Sequence, residues 1–202
     1  MAFTKRRGAL LRLGFAGVLA GLAIGCGKKE QVDPTKAVFE EFGKRVDAYM
    51  ALRNKLADSV GPLDPTWDQA KITARAAHLA EAIQLARAGA KPGDIFTTEA
   101  ATIIATFIKS EYDRRPDTVL NARADAQREL QNELPDFDPQ VNQIYPTTAP
   151  LATFPATLLP LLPQLPKELE YRIIRKYLIL RDIEANVILD IMPHAVPQEK
   201  LP

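Results

Sequence analysis

The residues best equipped for chemistry gather near the C-terminus: Asp182, Glu184, Asp190 and His194. Carboxylates and an imidazole could hold a divalent cation or exchange protons with a substrate. Their spacing matches no metal loop, since there is no EF-hand glycine and no histidine pair on a helix. On strands, positions 182, 184 and 190 share a face only if no turn falls at Ile183–Asn186. The reading adopted is therefore solvent-facing charges at strand ends and a turn. The hydrolase alternative needs paired carboxylates facing one cleft, about 5–10 Å apart. His78 stands among alanines and reads as a buried neutral imidazole or a rim residue. Ser59 and Ser110 are the only serines, and neither lies in a G-x-S-x-G elbow. With no glycine-rich phosphate loop and only two histidines, far apart, no catalytic, metal or cofactor-binding residue is expected.

One residue does invite a covalent modification. Cys26 is the sole cysteine, and it ends a basic start (Lys5, Arg6, Arg7, Arg12) followed by an uncharged run from Leu13 to Gly25. That is the order of an export signal. The run would extend roughly 20 Å as a helix, short of a bilayer core of about 30 Å. Leu22-Ala23-Ile24-Gly25-Cys26 resembles a bacterial lipobox, in which cleavage leaves a diacylglyceryl-cysteine at the mature N-terminus. Ala23-x-Gly25 also suits an ordinary cleaved signal, but a lone thiol in an oxidising compartment calls for an explanation that acylation supplies. Arg6-Arg7 followed by Gly8-Ala9 is a poor twin-arginine signal. Gly27 lacks the aspartate that, in the enterobacterial sorting rule this pattern resembles, retains a lipoprotein in the inner membrane. The expectation is a bacterial cell-envelope protein, lipid-anchored with its domain in the periplasm, at the outer membrane rather than the inner. Residues 1–25 are the signal peptide, 26–33 a lipidated tether and 34–202 a single, mostly helical domain.

Removing the four basic residues of the signal takes the formal charge from +1 to −3. No basic stripe remains, so nucleic acid is not an expected partner. The expected partners are the membrane, through the lipid anchor, and an unknown envelope protein or ligand.

Helical spacing dominates 34–134. Asp33-Pro34-Thr35 opens a first helix with Phe39, Phe42, Val46, Tyr49 and Leu56 on one stripe, ended by Gly61-Pro62. Asp64-Pro65-Thr66 repeats the device and opens an alanine-rich second helix (Ala70, Ala74, Ala77, Ala80) reaching Ala88. The lone Trp67 in its first turn is expected in the core. Thr97 caps a third helix with Ala100, Ile104, Phe107, Ile108 and Tyr112 on one face. A fourth carries Val119, Ala122, Ala126, Leu130 and Leu134. Short connections favour an up-down bundle.

Residues 135–166 are proline-rich yet carry Ile144, Leu151, Phe154, Leu158, Leu159, Leu161, Leu162 and Leu165. A solvated linker has no use for such side chains, so an ordered, extended wrap is expected. Pro160, Pro163 and Pro166 also keep the period of a polyproline II helix. Leu169–Arg175, Tyr177–Asp182 and Asn186–Ile191 read as strands. The fold class is α+β: a bundle of about four helices, a proline-rich extended wrap and a small C-terminal antiparallel β-meander.

The stretch Leu165-Pro166-Lys167-Glu168-Leu169-Glu170-Tyr171-Arg172, continuing through Leu178-Ile179-Leu180-Arg181-Asp182-Ile183-Glu184-Ala185-Asn186, resembles the C-terminal signature of a group of uncharacterised bacterial exported proteins. Gly93-Asp94-Ile95-Phe96-Thr97 resembles a second element of that group. The resemblance spans the last two thirds of the mature chain and implies no activity. The leading expectation is a non-enzymatic envelope binding or structural module. The alternatives are an envelope hydrolase or metal-dependent site using Asp182, Glu184, Asp190 and His194, and an apolar small-ligand carrier whose cavity is lined by Phe107, Leu158 and Leu162.

Overall fold

The computed structural model describes residues 33–114, 137–146, 156–174 and 176–196. The chain divides into two units, Met1–Gln31 and Val32–Pro202, and the described residues all belong to the second. Cys26 and the helix expected over Val119–Leu134 lie outside the described residues, as does Arg175.

The architecture is α+β. Three helices, α1 (Pro34–Val60), α2 (Gln69–Ala86) and α3 (Thr98–Asp113), precede a three-stranded antiparallel sheet. Its strands are β1 (Leu169–Ile174), β2 (Tyr177–Asp182) and β3 (Ile188–Met192), in the order β1-β2-β3.

The Asp33 carboxylate accepts from the Thr35 amide at 2.9 Å and Pro34 occupies the first turn, so α1 begins where the capping chemistry places it. Phe42, Val46, Tyr49 and Arg53 form its buried stripe, and it packs against both α2 and α3. The second helix departs from expectation. Its cap is Asp68, whose side chain accepts from Ala70 and Lys71; the Thr66 hydroxyl accepts from the Asp68 amide, closing a turn ahead of the helix. Of two aspartates able to cap the helix, the later one does so, and Leu79, Ala80 and Ile83 form the buried side of α2. Ala70, Ala74 and Ala77 face solvent, and the helix stops at Ala86 rather than Ala88. Trp67, left on the connecting loop, is fully exposed, which corrects the core placement.

The sheet is buried on both faces. Leu169, Tyr171, Ile173, Leu178 and Leu180 join the core made by the helices, while Ile174, Ile179, Ile188 and Ile191 pack under Tyr145, with Phe137 and Val141 against them. β2 and β3 slip register between Leu180 and Arg181, which pair with Asp190 and Ile188, so Leu189 is a bulged residue without a partner in β2.

Part of the proline-rich wrap is ordered as expected. Leu158 and Leu162 are buried in the main core, and Leu161 and Leu165 pack against it. Burial of each large side chain contributes roughly 1.5–3 kcal/mol. Leu159–Leu161 is a 3-10 turn, which breaks the polyproline II period at Pro160. No helix among the described residues is long and apolar enough to cross a membrane.

Candidate functional site

The four C-terminal candidates do not form one site. Asp182, at the end of β2, is fully buried rather than solvent-facing. One carboxylate oxygen accepts from the Tyr49 hydroxyl at 2.8 Å and from Arg53 Nε at 2.7 Å; the other accepts from the Ala185 amide at 2.8 Å. Arg53 also donates from Nη2 to Glu184 at 2.7 Å, and Arg75 pairs with the same Glu184 while its Nε donates to the Gly61 carbonyl. This cluster fastens the turn after β2 to α1, α2 and the loop between them. Burial pushes the Tyr49 phenol up, and the neighbouring Asp182 charge adds to it. Burial pulls the Arg53 guanidinium down, and the two carboxylates more than reverse that.

Asp190, in β3, is also fully buried, and serves a different loop. Its oxygens accept from the amides of Gly93 (3.0 Å), Ile95 (2.7 Å), Phe96 (2.7 Å) and its neighbour Ile191 (2.8 Å). A carboxylate here fills the concavity of successive N–H groups that would otherwise hold an anion. The turn it organises contains Gly93 at φ +90°, a left-handed conformation that glycine adopts without strain. Burial pushes the Asp190 carboxyl up, against the opposing pull of the four amides. The Arg87 guanidinium lies 5.4 Å from the Tyr49 ring centre and donates to the carbonyl of the bulged Leu189 at 2.9 Å. Burial pulls it below the ordinary guanidinium range, and its Nη1 is buried without a hydrogen-bond partner among the described residues.

His194 is exposed at φ +56° in the turn after β3, and His78 is exposed on α2. The Ser59 and Ser110 hydroxyls donate to the Lys55 and Phe107 carbonyls on their own helices. No group of three or more His, Cys, Asp or Glu able to hold a metal occurs among the described residues. The expected pair of solvent-facing acids is thus corrected: both aspartates are interior fasteners, because the apolar strands carrying them are buried on both faces. Tyr49 and Arg53 were missed as partners of Asp182, as were Arg75 beside Glu184 and the partly buried Arg87. One signal pointed to Arg53: it continues the stripe of Phe42, Val46 and Tyr49 as its one charged member.

Three surface features remain. Trp67 projects from the α1–α2 loop, with Leu63, Ile72 and Ile183 also exposed. Arg75 ties this end together, since it bonds Gly61 before the loop and Glu184 beside Ile183. A cleft of about 430 Å³ lies where Phe96, Ala101 and Ala105 meet Met192 and Pro193, with no charged lining residue. An open groove of about 690 Å³ runs between the proline segment and β1. Of the residues expected to line an apolar cavity, Leu158 and Leu162 are buried in the main core and Phe107 makes an edge contact with Phe39. Comparison of the chain with family models, curated proteins and solved structures finds no match.

Proposed function

We propose that this protein is a bacterial envelope lipoprotein, held by a diacylglyceryl group on Cys26, whose domain is a non-enzymatic binding module for an envelope protein. The anchor rests on the sequence Leu22-Ala23-Ile24-Gly25-Cys26, with the sole cysteine at the acylated position. A fourth helix over Val119–Leu134, completing an up-down bundle, belongs to the same reading and rests on its helical apolar spacing. So does kinship with the exported proteins that share the Leu165–Asn186 signature.

The observation that carries the binding role is the full exposure of Trp67. An indole held in water forgoes a large burial energy, and exposed apolar clusters mark interaction sites. Trp67 stands past the C-terminal end of α1, a helix about 40 Å long from Pro34 to Val60. Asp64 and Asp68 flank it and would repel anionic headgroups, which favours a protein over the bilayer. The hydrolase alternative draws no support from its four candidates: Asp182, Glu184 and Asp190 are engaged with arginines and amides, and His194 stands apart from them.

Trp67 is the only tryptophan, so its fluorescence reports on this surface alone. The purified protein should emit as a hydrated indole and shift to the blue when detergent-extracted envelope protein is added. Trp67→Ala should abolish co-purification of that protein without lowering stability. An unshifted spectrum together with unchanged co-purification by the variant would remove the proposal.

A further inference from the structure

The groove between the proline segment and β1 combines an apolar bed with a cation, Lys167, at its side. Leu159, half exposed, and Leu165 form one wall, and Leu169 and the Tyr171 ring the other. The Tyr171 hydroxyl donates to the Pro163 carbonyl at 3.0 Å, and its ring lies against Phe96 and Phe42, with centroids 6.3 and 6.5 Å away. The bed is therefore braced by the core on its inner side. Its volume of about 690 Å³ falls within the range of ligand sites, roughly 300–1,000 Å³.

The charge at the groove is one-sided. Glu170, its acidic lining residue, is held by both Arg172 and Arg181, so its negative charge is already met. Lys167 lines the groove, is exposed, and forms no ion pair or hydrogen bond among the described residues. An apolar trough beside an uncommitted ammonium is complementary to a molecule with a long hydrocarbon chain and an anionic head.

We propose that this groove binds a single-chain fatty carboxylate, its alkyl chain along Leu159, Leu165 and Leu169 and its carboxylate paired with Lys167. The position of the groove fits such a ligand. Phe42, which packs on Tyr171, lies about 12 Å along α1 from its start at Pro34. The tether from Cys26 to Asp33 spans at most about 25 Å, so this end of the domain works within reach of the bilayer; that argument of place rests on the lipid-anchor reading, whereas the chemistry of the groove does not.

The test uses the full chain in isolated envelopes, exposed to a palmitate analogue carrying a diazirine at its methyl end. After irradiation, mass spectrometry should find the label on the peptide spanning Leu159–Tyr171. Lys167→Glu should cut that labelling about fivefold, the scale set by reversing one exposed charge, while Lys167→Arg retains it. Lys167 is exposed, so thermal stability should not change in either variant. Label spread evenly over the domain, or unchanged by Lys167→Glu, would overturn the proposal. A phosphatidylglycerol carrying the same diazirine chain distinguishes the source: equal labelling by it would assign the groove to bilayer phospholipid and overturn the fatty-carboxylate reading. Membrane association is scored in the same samples. A membrane-bound protein without label refutes the groove and leaves the anchor standing; a labelled protein that washes free refutes the anchor and leaves the groove.

Discussion

Replacing Arg53 with methionine would expose how much the buried ionic cluster contributes to stability. The substitution keeps an unbranched stem and deletes only the guanidinium, which is bonded to Asp182 and Glu184 at 2.7 Å each. Glu184 retains Arg75 and is partly solvated. Asp182 has no solvent contact, and among the described residues keeps only the Tyr49 hydroxyl and the Ala185 amide. Breaking a buried pair in this way costs about 3–5 kcal/mol, a large share of a typical total of about 5–15 kcal/mol. With a urea slope near 2 kcal/mol per molar, the midpoint should fall by about 1.5–2.5 M. The second arm is Arg53→Met with Asp182→Asn. Removing the stranded charge as well should make the double variant more stable than the two single losses predict, with a coupling of about 1–3 kcal/mol. A loss under about 1 kcal/mol for Arg53→Met, or strict additivity in the double variant, would show that the pair does not fasten α1 to the sheet.

Three further outcomes follow from the same structure. Burial raises the Asp190 carboxyl, so the native state keeps its proton at a higher pH than the unfolded chain does, near 3.9. Its contribution to stability is then fully present below that value and declines as pH rises through the native one; the stability difference between wild type and Asp190→Asn should fall across that window, and a flat or rising difference would contradict it. Leu158→Ala should cost about 2–5 kcal/mol, whereas Leu159→Ala, on the exposed side of the same turn, should stay within about 0.5 kcal/mol; equal effects in urea unfolding would show that the wrap is not part of the core. Intact-mass analysis should find a lipid-modified Cys26 at the mature N-terminus, and Cys26→Ser that is still processed and still membrane-bound would refute the anchor.

The elements were legible where local chemistry and burial agree. The cap at Asp33 and the strand over Tyr177–Asp182 match expectation, and the expected strand Leu169–Arg175 is observed as Leu169–Ile174. The third strand was expected at Asn186–Ile191 and lies at Ile188–Met192, because Asn186 has the positive φ of a turn and Val187 bridges to Ile144 instead. The α2 start was misread because Asp64 and Asp68 are both competent caps, and the local sequence does not choose between them. The fates of Asp182 and Asp190 were hidden for a related reason. A carboxylate reads as solvated unless its donors are known, and those donors come from α1 and from the turn before α3. A sharper reading was open at Ile188-Leu189-Asp190-Ile191-Met192, where one acid interrupts a wholly apolar strand and must find amide donors inside.

The ion pairs of Arg53 also set the order in which the chain can mature. Arg53 and Asp182 are 129 positions apart, and Tyr49 and Asp182 are separated by 133. At synthesis rates of about 5–20 residues per second, α1 waits roughly 6–26 s for the strand that completes it. During that interval Phe42, Val46 and Tyr49 have no sheet to cover, and a buried-to-be guanidinium has no counter-charge. Closure of so long a loop is slow for topological reasons. A nascent or C-terminally truncated chain would therefore present an open apolar stripe to chaperones and proteases, and survival of the protein depends on its last strands arriving intact.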